Sequence, residues 1–136
     1  MSWTSTSRPA CSAPRSPRSP SRPGRPPVTD DHRPTLGDLA LEVRSKNAGP
    51  FWVTMELFMR DAAGYAIVAD EDFINADVIA RLYGLDPAVV RIFRIPDLDV
   101  VKISFPRPVP QAGPYDRDVH AGQHHVPLAA LVPPPR

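Results

Sequence analysis

Proline restricts this chain more than any other residue, because it fixes φ and carries no amide donor, and 19 of the 136 residues are proline. They are unevenly spread. The first 35 residues hold eight of them, together with six arginines, seven serines and only Asp30 and Asp31 as acids, a formal charge of +4. The remaining 101 residues carry ten basic and 13 acidic side chains, a charge of −3, so a basic arm precedes a mildly acidic body. The stretch SRPACSAPRSPRSPSRPGRPP cannot bury enough apolar surface to offset its ordering entropy and is expected to be disordered. The expected organisation is therefore an arm over 1–34 and one domain over 35–136, a length that supports a single core.

Three readings of the arm compete. It could be a basic docking tail, or a transit peptide, although proline denies the amphipathic helix such a peptide needs. The preferred reading is GC-rich upstream DNA translated from a mis-assigned start, with Val28 as the true GTG start. Mass spectrometry of the native protein would decide it.

Composition excludes several classes. Cys11 is the only cysteine and lies in the arm, so neither an intrachain disulfide nor a thiolate metal site is available, which fits a cytoplasmic protein. No apolar run is long enough for a secretory signal or a membrane span. Neither the size of the arm nor the charge of the body resembles a nucleic-acid-binding domain, so no nucleic-acid partner is expected.

The domain opens with TLGDLALEVRSK, in which Leu36, Leu39, Ala40 and Val43 form one helical stripe with Thr35 as N-cap and Asp38 at N3. The spacing predicts a helix over 35–46, stopped at Asn47–Pro50, where Gly49 tolerates a left-handed turn. FWVTMELFM alternates with period two and reads as a strand covered on at least one face. A weaker helix is expected over 61–70, and a stronger one in NADVIARLYG, capped by Asn75 and ended by Gly84. VVRIFRI and DVVKISF read as an antiparallel pair joined through PDLD, followed by a long loop and a short closing element, LAALV. The order implies an α+β fold: a small antiparallel or mixed sheet with helices on one face, a ferredoxin-like plait being the nearest common architecture.

Two groups of residues could do chemistry. Arg44, Ser45, Lys46, Asn47 and Gly49 combine two cations, a hydroxyl, an amide and a glycine, and could receive a carboxylate or phosphate. As a solvated helix cap the same residues need no ligand. His120, His124 and His125, with Asp116 and Asp118, could bind metal or act as acid and base, but the loop does not offer the helical spacing of a zinc site, so no metal is expected. Arg107 sits in FPRPVP, a polyproline-like edge for a partner or simply a rigid loop. Asp70–Asp72 reads as a solvated face. Phosphate-loop, dinucleotide, nucleophile-elbow and C-x-x-C motifs are absent, and no cofactor is expected.

The segments LGDLALEVRSKNAGPFWVTMELF, IARLYGL, IPDLDVVKISFPRPVP and DRDVHAGQHHVPL resemble the bacterial family called domain of unknown function 4387, from residue 35 to about 131. The seven consecutive positions of R-S-K-N-A-G-P are the most specific part of the match. A more distant similarity, through Arg44-Ser45, Lys46 and Ile95-Pro96-Asp97-Leu98, is to the small C-terminal ferredoxin-fold domain of AtuA-like proteins of acyclic terpene utilisation. The resemblance implies a small accessory partner of a larger AtuA-like subunit in acyl-CoA or organic-acid breakdown. Arg44, Ser45, Lys46, Asn47 and Gly49 would then hold a carboxylate or CoA thioester at the shared interface. The rivals are a hydratase or lyase using His120 or His124 as acid or base, and a structural homo-oligomerising domain.

Overall fold

The computed structural model describes residues 33–135, so the arm through residue 32, with Cys11 and Val28, lies outside the described residues. Thr35 caps α1 (Leu36–Leu39): its hydroxyl accepts from the Asp38 amide, and the Asp38 carboxylate accepts from the Thr35 amide at 2.8 Å. This is the reciprocal capping box. The helix lasts one turn, which corrects the expected helix over 35–46. Ala40–Asn47 is strand β1, antiparallel to β2 (Trp52–Met59).

The reason is tertiary. A helix carried through Lys46 would leave one edge of β2 without partners for its backbone N–H and C=O groups, and the strand supplies them. Leu36 and Ala40 are still buried, and Leu39 and Val43 still pack against the core, so the apolar stripe is used by one turn of helix followed by a strand. Residues 48–51 are consequently a hairpin loop and not a helix cap. The Ala48 amide donates to the Trp52 carbonyl at 2.8 Å, and Gly49 adopts a φ of 78°.

The two expected middle helices form. Asp61 caps α2 (Ala62–Val68) through the Gly64 amide, and Asn75 caps α3 (Ala76–Tyr83) through the Val78 amide. Gly84 ends α3 at a φ of 67°. Gly64 is buried where a methyl group would meet the Leu39 carbonyl at 3.3 Å, so α2 lies backbone to backbone against the end of α1. Strands β3 (Arg91–Ile95) and β4 (Val100–Pro106) then pair antiparallel through a turn at Pro96–Leu98. The short closing element becomes α4 (Val126–Ala129), and the Leu131 carbonyl accepts from the Leu36 amide at 2.7 Å.

The sheet is antiparallel throughout, in the order β1-β2-β4-β3. This is an α+β fold with the layer of a ferredoxin-like plait. Its chain order is hairpin, two helices, hairpin, where the plait itself runs β-α-β-β-α-β. Val53, Met55, Leu57, Val101, Ile103 and Phe105 point to one face and bury under Val68, Ile79 and Leu128 from the helices and Ile74 from the turn between α2 and α3. The other face is open. Among the described residues no helix is long and apolar enough to cross a membrane.

Nothing lies within 4 Å of the Cβ that an alanine would add at residue 49. The cost of Gly49→Ala is therefore that of the left-handed backbone alone, about 1–2 kcal/mol. Chemical denaturation is expected to read that loss, with Gly49→Asn recovering part of it. An unchanged midpoint for Gly49→Ala would contradict the hairpin geometry.

Candidate functional site

Side chains on a strand alternate between faces, so the four polar residues of Arg44-Ser45-Lys46-Asn47 cannot converge. Arg44 and Lys46 point to the open face, and Ser45 and Asn47 to the face that carries the core. On the open face Glu56 sits between the two cations, 2.8 Å from Arg44 Nε and 3.1 Å from Lys46 Nζ. Burial raises the Glu56 pKa, but the hydrogen bonds from Arg44 and Lys46 outweigh it and hold the carboxyl below its usual range. The Arg44 guanidinium also stacks over the Phe58 ring at 4.8 Å. Gly49 stands apart at the hairpin tip and serves the turn.

On the other face, Ser45 and Asn47 fasten the long loop after β4. The Ser45 hydroxyl donates to the Ala121 carbonyl and accepts from the His125 amide at 3.1 Å. His125 Nδ1 lies 3.2 Å from the same oxygen, and because the hydroxyl proton is already given to Ala121, Nδ1 is the donor there. Asn47 donates to the Val119 carbonyl at 2.6 Å and accepts from Arg107 Nη1. Both side chains of the motif thus hold a loop.

Arg107 is the centre of that loop, its side chain only 2% exposed. Nε donates to the Val109 carbonyl at 3.0 Å, and Nη2 to Asp116 Oδ1 at 2.8 Å and to the Asp118 carbonyl at 3.2 Å. In FPRPVP the guanidinium is turned inward, so the Arg107 side chain serves the loop's own hydrogen bonds. Asp116 is held below the usual carboxylate range first by the Asp118 amide, against the opposing effect of burial, and further by the Ala112 amide and the Arg107 charge.

Asp118 orients His124. Burial pushes the Asp118 pKa up, but the Gln123 amide, His124 and the Gly122 amide together bring it below the usual range. The carboxylate is therefore ionised at neutral pH and can only accept. His124 Nδ1, 3.0 Å from Asp118 Oδ2, must then carry a proton, which in the neutral ring leaves Nε2 as the basic nitrogen. The Tyr83 hydroxyl donates to the His124 carbonyl from α3, and burial pushes the phenol's pKa up, so it remains a donor. His120, by contrast, is exposed and takes no part in this pair.

Arg107, Val109, Tyr115, Arg117, Asp118 and His124 line a cleft of about 210 Å³. The polar wall is one imidazole and two guanidinium groups against two carboxylates, a setting for the charged end of a small anion and, through Nε2, for a proton transfer. Among the described residues no group of three or more His, Cys, Asp or Glu side chains is arranged to hold a metal ion. Tyr83 and Glu56 have no role at sequence level, and the pairing of Arg107 with Asp116 is not legible there. The available signal was Arg107 between two prolines, followed by D-R-D, a buried cation with its acids nearby in a loop too stiff to solvate it.

A family model described as "Domain of unknown function (DUF4387)" matches residues 36–132. No curated protein and no solved structure matches the chain.

The acid limb of stability follows from these carboxylates. Their pKa values are depressed by folding, so their contribution is complete above the unfolded value, about 3.9 for Asp and 4.3 for Glu, and is lost as the pH falls through the lower folded values. The melting midpoint is expected to be level from pH 7 to about 5 and to drop below about 4. The double substitution Asp116→Asn/Asp118→Asn should lower the midpoint at pH 7 and flatten the acid limb, leaving the part due to Glu56. An acid limb identical to that of the wild type would show that the loop carboxylates do not carry it.

Proposed function

We propose that this chain, which belongs to the DUF4387 family, is a small accessory subunit of a larger AtuA-like protein in acyl-CoA or organic-acid breakdown. It contributes one wall of an anion site rather than a complete active site. The observation that carries this reading is the scale of the cleft. Its volume of about 210 Å³ is below the roughly 300–1,000 Å³ of a pocket that buries a ligand unaided. A carboxylate fits there; an acyl-CoA does not.

The chemistry of the wall supports the same division. Four internal acceptors engage Arg107, so it shapes the cleft and lends it charge, while exposed Arg117 and the half-buried His124 remain to meet a ligand. Phe51 and Tyr115 are 62% and 81% exposed. Tyr115 lines the cleft, and the Phe51 carbonyl accepts from the Arg107 amide, so the exposed Tyr115 ring stands at the rim and Phe51 is tied by its backbone to the start of the same loop. Exposed aromatic rings at the rim of a half-built site are what a partner protein would cover.

A second reading, a hydratase or lyase in its own right, is favoured by the Asp118–His124 pair, which fixes the tautomer a general base requires. Co-expression with the large AtuA-like protein of the same host separates the readings. The expected result is a complex of fixed stoichiometry, no turnover by the isolated chain, and turnover by the complex. His124→Ala should leave assembly intact and lower that turnover by about 10²-fold or more. Turnover by the isolated chain, lost in His124→Ala, would establish the enzyme reading. A chain that associates only with itself would establish the structural one.

A further inference from the structure

We infer that the open face of the sheet is a docking surface for an acidic patch on a partner protein. This inference rests on the accessory-subunit reading and names the surface through which the subunit assembles. Cross-strand partners share a face, so the register fixes its map. One row runs Arg44, Glu56, Lys102, Phe93 and the next Lys46, Thr54, Ser104, Arg91. Phe58, Val100 and Ile95 form an apolar row at one end, and Trp52 stands at the other.

The charge is one-sided. Of these strand positions Arg44, Lys46, Arg91 and Lys102 are cationic, while Glu56 and Glu42, opposite Phe58, are the only acids. Glu56 is spent: only 13% exposed, it is shared by two cations that remain 48% and 54% exposed. The Thr54 and Ser104 hydroxyls share one hydrogen bond at 2.8 Å between the charged positions. What projects outward is a set of cations around a hydrogen-bonded floor, with Glu42 as the one exposed acid, beside Phe58 at one end.

The cations are also held in place. The Arg44 guanidinium stacks on Phe58 at 4.8 Å and that of Arg91 on Trp52 at 5.3 Å. Fixed Arg forks on aromatic rings lose little entropy on binding and are the side-chain types that dominate interface energetics. Neighbouring strands lie about 4.8 Å apart, so the cations span roughly 14 Å from β1 to β3. One small anion cannot neutralise such a span. A flat face suits a protein surface better than a small molecule, which needs a concave site. The −3 charge of residues 36–136 opposes a nucleic acid, and a second copy would bring cations against cations.

Arg44 and Lys46 would then recognise the partner, while the cleft on the opposite side recognises the ligand. The test immobilises the full chain in extract of the native host, treated with nuclease, and identifies what it retains by mass spectrometry. Wild type, Lys46→Glu/Lys102→Glu and His124→Ala are compared at about 0.05 M and 0.5 M salt, between which the screening length falls several-fold. The expected result is one acidic protein in fixed stoichiometry, retained equally by His124→Ala and at least tenfold less by the double charge reversal and at high salt. Lys46 and Lys102 should also be protected from acetylation in the complex.

Equal retention by the charge-reversed chain would overturn the face and leave the accessory reading standing. Capture of no protein would overturn both. Retention seen only in a parallel extract left without nuclease, or self-association that the reversal abolishes, would assign the face to nucleic acid or to a second copy and overturn the proposal. Circular dichroism of each variant confirms that the sheet is intact.

Discussion

The burial of one guanidinium, that of Arg107, is the constraint on which the rest of the loop depends. A buried charge is tolerable only if it is paired and fully hydrogen-bonded. Arg107 draws its acceptors from three places: Asn47 at the end of β1, the Val109 carbonyl beside it, and Asp116 with the Asp118 carbonyl further along. The chain from residue 107 to 125 forms no helix or strand, and these hydrogen bonds tie it to β1 and to itself. His124 inherits its position from this arrangement, because Asp118 is set by the same network whose other end is Arg107.

The loop is also anchored from the sheet and from the helices. Ser45 and Asn47 reach it from β1, and Tyr83 from α3. Ala121 lies buried at the contact with Ser45, with a φ of 57° that an alanine adopts only under strain. The surrounding contacts over-determine this residue: its carbonyl accepts from Ser45, while the next two amides donate to the Asp118 carboxylate. Local strain has accumulated beside the titratable pair, where the chain bends sharply enough to turn Asp118 back onto His124.

Much of the fold was legible because its signals are local. Asn75 and Gly84 bracket α3 by capping chemistry, the β2 alternation identifies the central strand, and the Pro96 turn makes the last two strands a hairpin. The first segment was misread because Leu36, Leu39, Ala40 and Val43 satisfy a helical period, although β2 decides the conformation by needing an edge partner. No window of sequence contains that need. The same error propagated to the site. A helix end would have gathered Arg44, Ser45, Lys46 and Asn47 around one ligand, whereas a strand sends alternate residues to opposite sides. Asp118 and His124 were noted as neighbours, but their pairing could not be read from spacing, since it depends on amides at Gly122 and Gln123 folding back onto the carboxylate.

Alternation also gives the motif its economy of arrangement. A single edge strand presents Arg44 and Lys46 to one side and Ser45 and Asn47 to the other, so a displacement of β1 would disturb both faces at once. On one side the cations are ordered by Glu56 and Phe58. On the other the polar side chains hold the loop that carries His124. A protein that packs on the open face therefore bears on the strand that anchors the cleft, without touching the cleft. The register of β1 with β2 fixes both sets of side chains together.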